Sequence, residues 1–160
     1  MRDALVQAVR QQFGFRCGYC DVTEAEAGAT FTVDHFHPRK HGGTDDFANL
    51  VYCCHACNEH KGFYWNPGAV DRILHPLNDD LAAHVIETDA GTLDPLTDTG
   101  RFHIARLQLN RPALIKNRYA WREAREDRAN RAAVVGVLGR VEASLNQLRD
   151  AIERLRAGGE

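Results

Sequence analysis

Two pairs of cysteines constrain this chain of 160 residues more strongly than any other feature. Cys17 and Cys20 form one pair, and Cys54 and Cys57 form the other, each with two residues between its members. Two sulfurs at this spacing can bind one zinc ion at about 2.3 Å, and two such pairs complete a closed tetrahedral site. We therefore expect these four thiolates to hold a structural Zn²⁺ that closes residues 21–53 into one unit.

The composition is typical of a globular protein, with 44% hydrophobic and 26% charged residues. No apolar run approaches the roughly 18–20 residues that span a bilayer, and the N-terminus lacks the basic and apolar stretches of a secretion signal. We therefore expect a cytoplasmic protein without a membrane partner. Thiols stay reduced in that compartment and serve as metal ligands more often than as disulfides. The fifth cysteine, Cys53, is expected in the core.

Apolar periodicity and turn residues predict a mixed order of elements. A helix at the start of the chain is followed by strands over residues 31–36 and 49–52 and by a helix that begins at Cys57. Residues 82–87 favour either a short strand or a helical turn. A further helix is expected over residues 112–131, because a proline stands at its first position.

The unit that the cysteines close and the helix that follows it contain polar residues that a purely structural zinc module does not need. These residues lie in the segments Val33-Asp34-His35-x-x-Pro38, Gly42-Gly43, Asn49-Leu50-Val51 and Cys54-x-x-Cys57-Asn58-x-x-Lys61-Gly62. Together with Cys17-x-x-Cys20, this pattern resembles the HNH endonuclease family over about residues 10–65. The resemblance implies an α+β protein with a zinc-stapled ββα nuclease core and a helical C-terminal extension. Position 58 carries asparagine, a common variant, where the family name expects histidine.

The residue types suit phosphodiester hydrolysis. His35 can act as the general base near neutral pH, and oxygen atoms of Asp34 and Asn58 suit a catalytic Mg²⁺ or Mn²⁺. The resemblance implies that Asn49 holds the His35 segment and orients its imidazole, and that Lys61 contacts a phosphate. It also implies products with 5′-phosphate and 3′-hydroxyl ends.

The chain divides by sequence into three parts. We expect an HNH nuclease module with an N-terminal helix over residues 1–66, an extension that packs on this module over 67–131, and a C-terminal amphipathic helix over 132–160. Charge is segregated within the extension. Residues 71–99 contain 1 Lys/Arg against 7 Asp/Glu, whereas residues 101–131 contain 9 against 3. A phosphate-facing surface is therefore compatible with the overall net charge of −2.

The basic part of the extension contains the candidate DNA-binding residues Arg111, Lys116 and Arg118, which could follow a DNA backbone. Leu109-Asn110-Arg111-Pro112 with Arg118 and Trp121 resembles a stretch that often follows the nuclease motif in small bacterial HNH proteins. The alternative is structural: Arg111 and Arg118 pair with the acidic segment and Trp121 fills the core.

The last part of the chain carries a heptad seam, in which apolar residues are spaced alternately by four and by three. Its members are Val134, Leu138, Val141, Leu145, Leu148, Ile152 and Leu155. The seam is either a homodimer contact or the face of a helix that folds back on its own domain. The flanking positions show no complementary charge pattern.

These observations predict a metal-dependent HNH endonuclease that acts on DNA. One alternative is a zinc-dependent nucleic-acid-binding module without cleavage activity, for which Asp34, His35 and Asn58 would have no purpose. Another is a nuclease effector or toxin that a partner protein directs through the C-terminal helix.

Overall fold

A computed structural model describes residues 3–68 and 70–157, apart from the side chain of residue 155. The helices are α1 (Asp3–Gln12), α2 (Glu24–Ala27), α3 (His55–Lys61), α4 (Asp98–Arg106) and α5 (Pro112–Ala157), and the strands are β1 (Thr32–His35), β2 (Leu50–Cys53), β3 (Val85–Glu87) and β4 (Leu93–Pro95). The chain forms two units, Met1–Tyr119 and Ala120–Glu160.

The first unit contains a β-hairpin followed by a helix. Strands β1 and β2 pair antiparallel, with Thr32 opposite Cys53 and His35 opposite Leu50, and α3 follows two residues after β2. This arrangement confirms the α+β class and the ββα order that the sequence predicts. Helix α3 begins at His55, before the expected start at Cys57, because Cys54 adopts the extended conformation of a residue that precedes a helix.

Helix α1 covers the hairpin with the apolar face that its sequence predicts. Val9, Leu50 and Tyr52 are fully or almost fully buried and form a cluster to which Leu5 and Phe13 add partly buried side chains. Burial of apolar surface of this kind is the main source of stability in a small domain. The cluster fixes the hairpin against α1, and the hairpin in turn positions the ends of its strands.

The loop between β1 and β2 has a shape that requires glycine at position 43. A Cβ atom on Gly43 would lie 1.7 Å from the carbonyl oxygen of His37. Gly42 precedes it with a φ of 94°, in the left-handed region that favours glycine. The Gly42-Gly43 pair therefore allows the loop to fold back on the residues that follow His35.

The remainder of the first unit is built around a second hairpin. Strands β3 and β4 pair antiparallel, and Thr97 caps the start of α4 by accepting a hydrogen bond from the backbone N–H of Gly100. Both alternatives for residues 82–87 occur, since a 3₁₀ turn at Leu81–Ala83 leads directly into β3.

Helix α5 begins at Pro112, as expected, and continues past residue 131 to Ala157. The boundary between the two units lies at Tyr119 and Ala120, whereas the division drawn from the sequence lies at 66/67 and 131/132. Gly136 and Gly139 lower helix propensity without ending the helix. Within the described part of the chain, no helix has the length and apolar character that crossing a membrane requires.

Candidate active site and metal centre

Four cysteine sulfurs meet at one point of the first unit. The Sγ atoms of Cys17, Cys20, Cys54 and Cys57 all lie within 4.8 Å of one another, and those of Cys20 and Cys54 are 3.8 Å apart. Two ligands of a tetrahedral zinc ion at about 2.3 Å are themselves about 3.8 Å apart. The arrangement therefore fits the predicted structural Zn²⁺. Cys53 is fully buried outside this cluster, in agreement with its expected core position.

A cleft of about 310 Å³ lies beside the end of β1. Its lining includes Asp34, His35 and Asn58, three residues that the sequence assigns to catalysis. Strand β1 supplies the first two and α3 supplies the third, so the ββα order brings them to one surface. The rest of the cleft is formed by Val33, Pro38, Arg39, Lys40, Gly62 and Phe63.

His35 has a carboxylate partner that the sequence analysis did not identify. The Nε2 atom of His35 lies 2.7 Å from Oδ1 of Asp45, and Arg39 forms an ion pair with the same carboxylate. Arg39, and to a lesser extent His35, lowers the pKa of Asp45 to about 2. An ionised carboxylate only accepts hydrogen bonds, so His35 donates from Nε2, which leaves Nδ1 as the acceptor. Asp45 lies ten residues from His35 in a loop, a spacing that carries no sequence signal.

Asn49 joins the two ends of the loop that follows His35. Its Oδ1 accepts a hydrogen bond from the backbone N–H of His37 at 2.7 Å, and its Nδ2 donates to the carbonyls of His37 and Thr44 at 3.0 and 2.8 Å. These contacts place Asn49 where it can hold the His35 segment, which is the role that the family resemblance implies. It does not contact the imidazole of His35 in the hydrogen bonds described.

Asp34 takes part in a buried polar cluster. Its carboxylate accepts a hydrogen bond from the Tyr19 hydroxyl at 2.8 Å and pairs with the Lys61 ammonium at 2.9 Å. Lys61 is only 1% exposed and also donates to the carbonyl of His35. Burial, together with Asp34, raises the pKa of Tyr19, so this hydroxyl stays protonated and donates. The geometry favours a positioning role for Lys61 rather than the phosphate contact that the resemblance implies.

Comparison with known families agrees with this geometry. Residues 17–63, which contain the four cysteines, the first hairpin and α3, match the HNH endonuclease family. No curated protein and no solved structure matches the chain. We call residues 17–63 the HNH segment.

Arg111 lies outside the HNH segment in sequence but contacts its metal centre. The Nη2 atom of Arg111 lies 3.5 Å from the sulfur of Cys57, 3.8 Å from that of Cys20 and 3.9 Å from that of Cys54. Three thiolates thus share one guanidinium donor. This position gives Arg111 a structural role rather than a DNA contact, but its partners are the cysteine sulfurs and not the acidic segment.

Arg118 and Lys116 differ in their surroundings on α5. Arg118 is 5% exposed and donates hydrogen bonds to the carbonyls of Gly91 and Leu109 at 2.6 and 2.8 Å. Its guanidinium therefore joins the turn between β3 and β4 to the segment just before α5, which is a structural role through backbone carbonyls rather than through acidic side chains. Lys116 is exposed. Among the three candidate DNA-binding residues, Lys116 has the position that such a contact requires.

Proposed function

We propose that this protein is a metal-dependent endonuclease that hydrolyses phosphodiester bonds in DNA, with His35 as the general base. The observation that carries the proposal is the convergence of Asp34, His35 and Asn58 on one cleft within the HNH segment. A binding module without activity has no use for this combination of groups. The match to the HNH family supports a nuclease activity in general, and the finer assignments below rest on the cleft.

His35 is suited to remove a proton from the attacking water. Because its Nε2 donates to Asp45, Nδ1 keeps the lone pair that can accept this proton. When His35 becomes an imidazolium, the ionised Asp45 carboxylate stabilises the new charge, as a buried or partly buried carboxylate does for the histidine of other hydrolases. Asp45 is accordingly a positioning residue, and Arg39 keeps its carboxylate ionised.

Asp34 and Asn58 would hold the catalytic divalent cation. A carboxylate and an amide offer the hard oxygen donors that Mg²⁺ and Mn²⁺ prefer. An ionised carboxylate has about four lone-pair sites, so Asp34 can accept from Tyr19 and Lys61 and still offer one to a cation. When bound, such a cation neutralises the negative charge that develops on the phosphate and leaving group. The zinc at the four cysteines would be structural, because a site with four thiolates leaves no open position.

The mouth of the cleft has groups suited to DNA. Phe63 is 66% exposed, and the Lys40 ammonium lies 4.3 Å from the centre of its ring. Exposed aromatic rings beside cations are typical of surfaces on which bases stack and phosphates bind. Together with Lys116, these residues make DNA in the cytoplasm the substrate that we propose, with 5′-phosphate and 3′-hydroxyl ends as the products.

A plasmid cleavage assay tests this proposal. Zinc-loaded protein should convert supercoiled DNA to nicked or linear forms when Mg²⁺ or Mn²⁺ is added, and His35→Ala should not, although it keeps its zinc and its affinity for DNA. DNA binding without cleavage under all metal conditions would instead identify a binding module. Cleavage that arises only after a partner protein is added would identify the partner-directed effector.

A further inference from the structure

The described part of the C-terminal unit, up to residue 157, is one helix whose apolar side chains from residue 134 to residue 152 lie in solvent. Every described side chain from residue 123 to residue 154 is exposed. The six described members of the heptad seam are between 49% and 61% exposed: Val134, Leu138, Val141, Leu145, Leu148 and Ile152. The side chain of the seventh member, Leu155, lies outside the described residues. A row of large apolar side chains about 27 Å long on one helix face requires a cover.

The pattern of the seam fits another helix as that cover. Spacings that alternate between three and four place Leu138, Leu145 and Ile152 at a positions, and Val134, Val141 and Leu148 at d positions, of a coiled coil. Gly136 and Gly139 fall outside the seam, and a Cβ atom on Gly139 would meet nothing within 4 Å. Glycines weaken a helix that stands alone in water, so this segment gains stability from a partner.

The positions beside the seam give a parallel pair of helices no complementary charges, but they give an antiparallel pair one. The e positions carry Val135, Glu142, Arg149 and Arg156, whereas the g positions carry Val137, Ser144 and Ala151. In a parallel pair, e faces g of the other helix, so none of these charges would meet a counter-charge. Reversal of one helix brings e opposite e. Glu142 of each chain can then pair with Arg149 of the other.

We propose that two copies of this chain associate through an antiparallel pairing of their α5 seams. Each chain carries both members of the ion pair, Glu142 and Arg149, so twofold symmetry forms the pair twice while the two apolar seams cover each other. Ser144 and Ala151 lie at g, on the other side of the seam from Glu142 and Arg149, and their small side chains let the two helices approach closely there. This inference is independent of the proposed catalytic activity.

The mass of the full, zinc-loaded chain in solution tests the association. Sedimentation velocity should show a monomer that becomes a dimer as the protein concentration rises. Leu145→Lys places a charge in the centre of the seam and should leave the monomer at every concentration, with zinc content unchanged. Asp150→Arg changes a charge on the face away from the seam and serves as the control, so it should still form the dimer. A wild-type protein that remains a monomer at every concentration overturns the proposal. If Leu145→Lys also lowers the melting temperature of that monomer, the seam packs on its own chain instead.

A charge-reversal cycle tests the antiparallel direction. Glu142→Arg places arginines opposite one another and should weaken dimerisation roughly tenfold at low salt. The double variant with Glu142→Arg and Arg149→Glu restores opposite charges and should recover the wild-type dissociation constant to within about twofold. In a parallel dimer neither charge faces a counter-charge, so the single variant would have little effect and the double variant would recover nothing. Either of those results overturns the antiparallel arrangement.

Discussion

The guanidinium of Arg111 lies 3.5 Å from the sulfur of Cys57, a residue 54 positions earlier in the chain. A zinc ion with four thiolates carries a net charge of −2, so a cation beside the sulfurs stabilises the loaded site. Arg111 precedes α5 and lies beyond the end of the HNH segment. The metal centre is therefore linked to the part of the chain that the family match does not cover.

Replacing Arg111 should weaken zinc binding. Loss of a group that contacts the ligands of a metal typically lowers affinity by roughly 10–100-fold, and we expect this for Arg111→Ala, measured as zinc transfer to a coloured chelator. Arg111→Lys keeps the charge but loses the forked donors of the guanidinium, so its zinc affinity should lie between those of the wild type and Arg111→Ala. Arg101→Ala removes an exposed arginine of α4 and should release zinc at the wild-type rate. Equal release from Arg111→Ala and wild type would contradict the role of this contact.

The zinc ligands themselves can be separated from the fifth cysteine. Native mass spectrometry should find one zinc per chain in the wild type and in Cys53→Ser, because Cys53 lies outside the cluster of sulfurs. Cys17→Ser should lose the metal and unfold the HNH segment, since structural zinc contributes to folding directly. The ligand assignment is wrong if Cys53→Ser releases zinc while Cys54→Ser keeps it.

The buried pair of Lys61 and Asp34 should contribute strongly to stability when one partner is removed. Lys61→Met leaves the Asp34 carboxylate without its main cation and should lower the free energy of unfolding by about 3–5 kcal/mol. The double variant with Asp34→Asn should recover part of this loss, because no uncompensated charge then remains. Tyr19→Phe removes a single donor and should cost about 1–3 kcal/mol. Urea unfolding measures all three, and a loss below about 1 kcal/mol for Lys61→Met would show that the pair is solvated.

His103 predicts how stability changes with pH. Burial lowers the pKa of this histidine to about 4, and its Nδ1 accepts a hydrogen bond from the backbone of Leu74 at 3.0 Å. The unfolded chain binds a proton at His103 near pH 6.5 and the folded protein does not, so folding becomes less favourable as the pH falls from about 6.5 to about 4.

The change at His103 can be measured by difference. Between pH 7 and pH 5 the wild type should lose about 2 kcal/mol of unfolding free energy more than His103→Asn, which retains an acceptor but does not titrate. Urea unfolding at the two pH values gives this difference, in which effects of the zinc ligands cancel. If the unfolding free energies of the two proteins change equally between pH 7 and pH 5, His103 is not buried in its neutral form.

The sequence was sufficient to predict the parts of the site that depend on local order. The cysteine spacing predicted the four-sulfur cluster, and the family pattern predicted the ββα order that brings Asp34, His35 and Asn58 to one cleft. Alternating apolar residues predicted the hairpin because one of its faces packs on α1. These features follow from short-range periodicity and from motifs with fixed spacing.

Other features depend on contacts between distant segments. Asp45 reaches His35 only because Asn49 and Gly43 fold the intervening loop, and Arg111 reaches the sulfurs only after the chain has formed β3, β4 and α4. Lys61 resembled a phosphate ligand in sequence, yet the helix carries its side chain inward to Asp34. A basic residue type alone does not distinguish a solvent-facing group from a buried partner.

The dependence of DNA cleavage on Mn²⁺ concentration tests the central claim, that His35 is the base and Asp34 and Asn58 hold the cation. His35→Ala should lower the cleavage rate by roughly 10²–10⁴ at every Mn²⁺ concentration. Asp34→Ala should need more Mn²⁺ and partly recover, and Asn58→Ala should show a milder form of the same shift, because an amide oxygen binds a cation less strongly than a carboxylate. Wild-type activity in His35→Ala, or its full recovery by Mn²⁺ alone, would contradict the account.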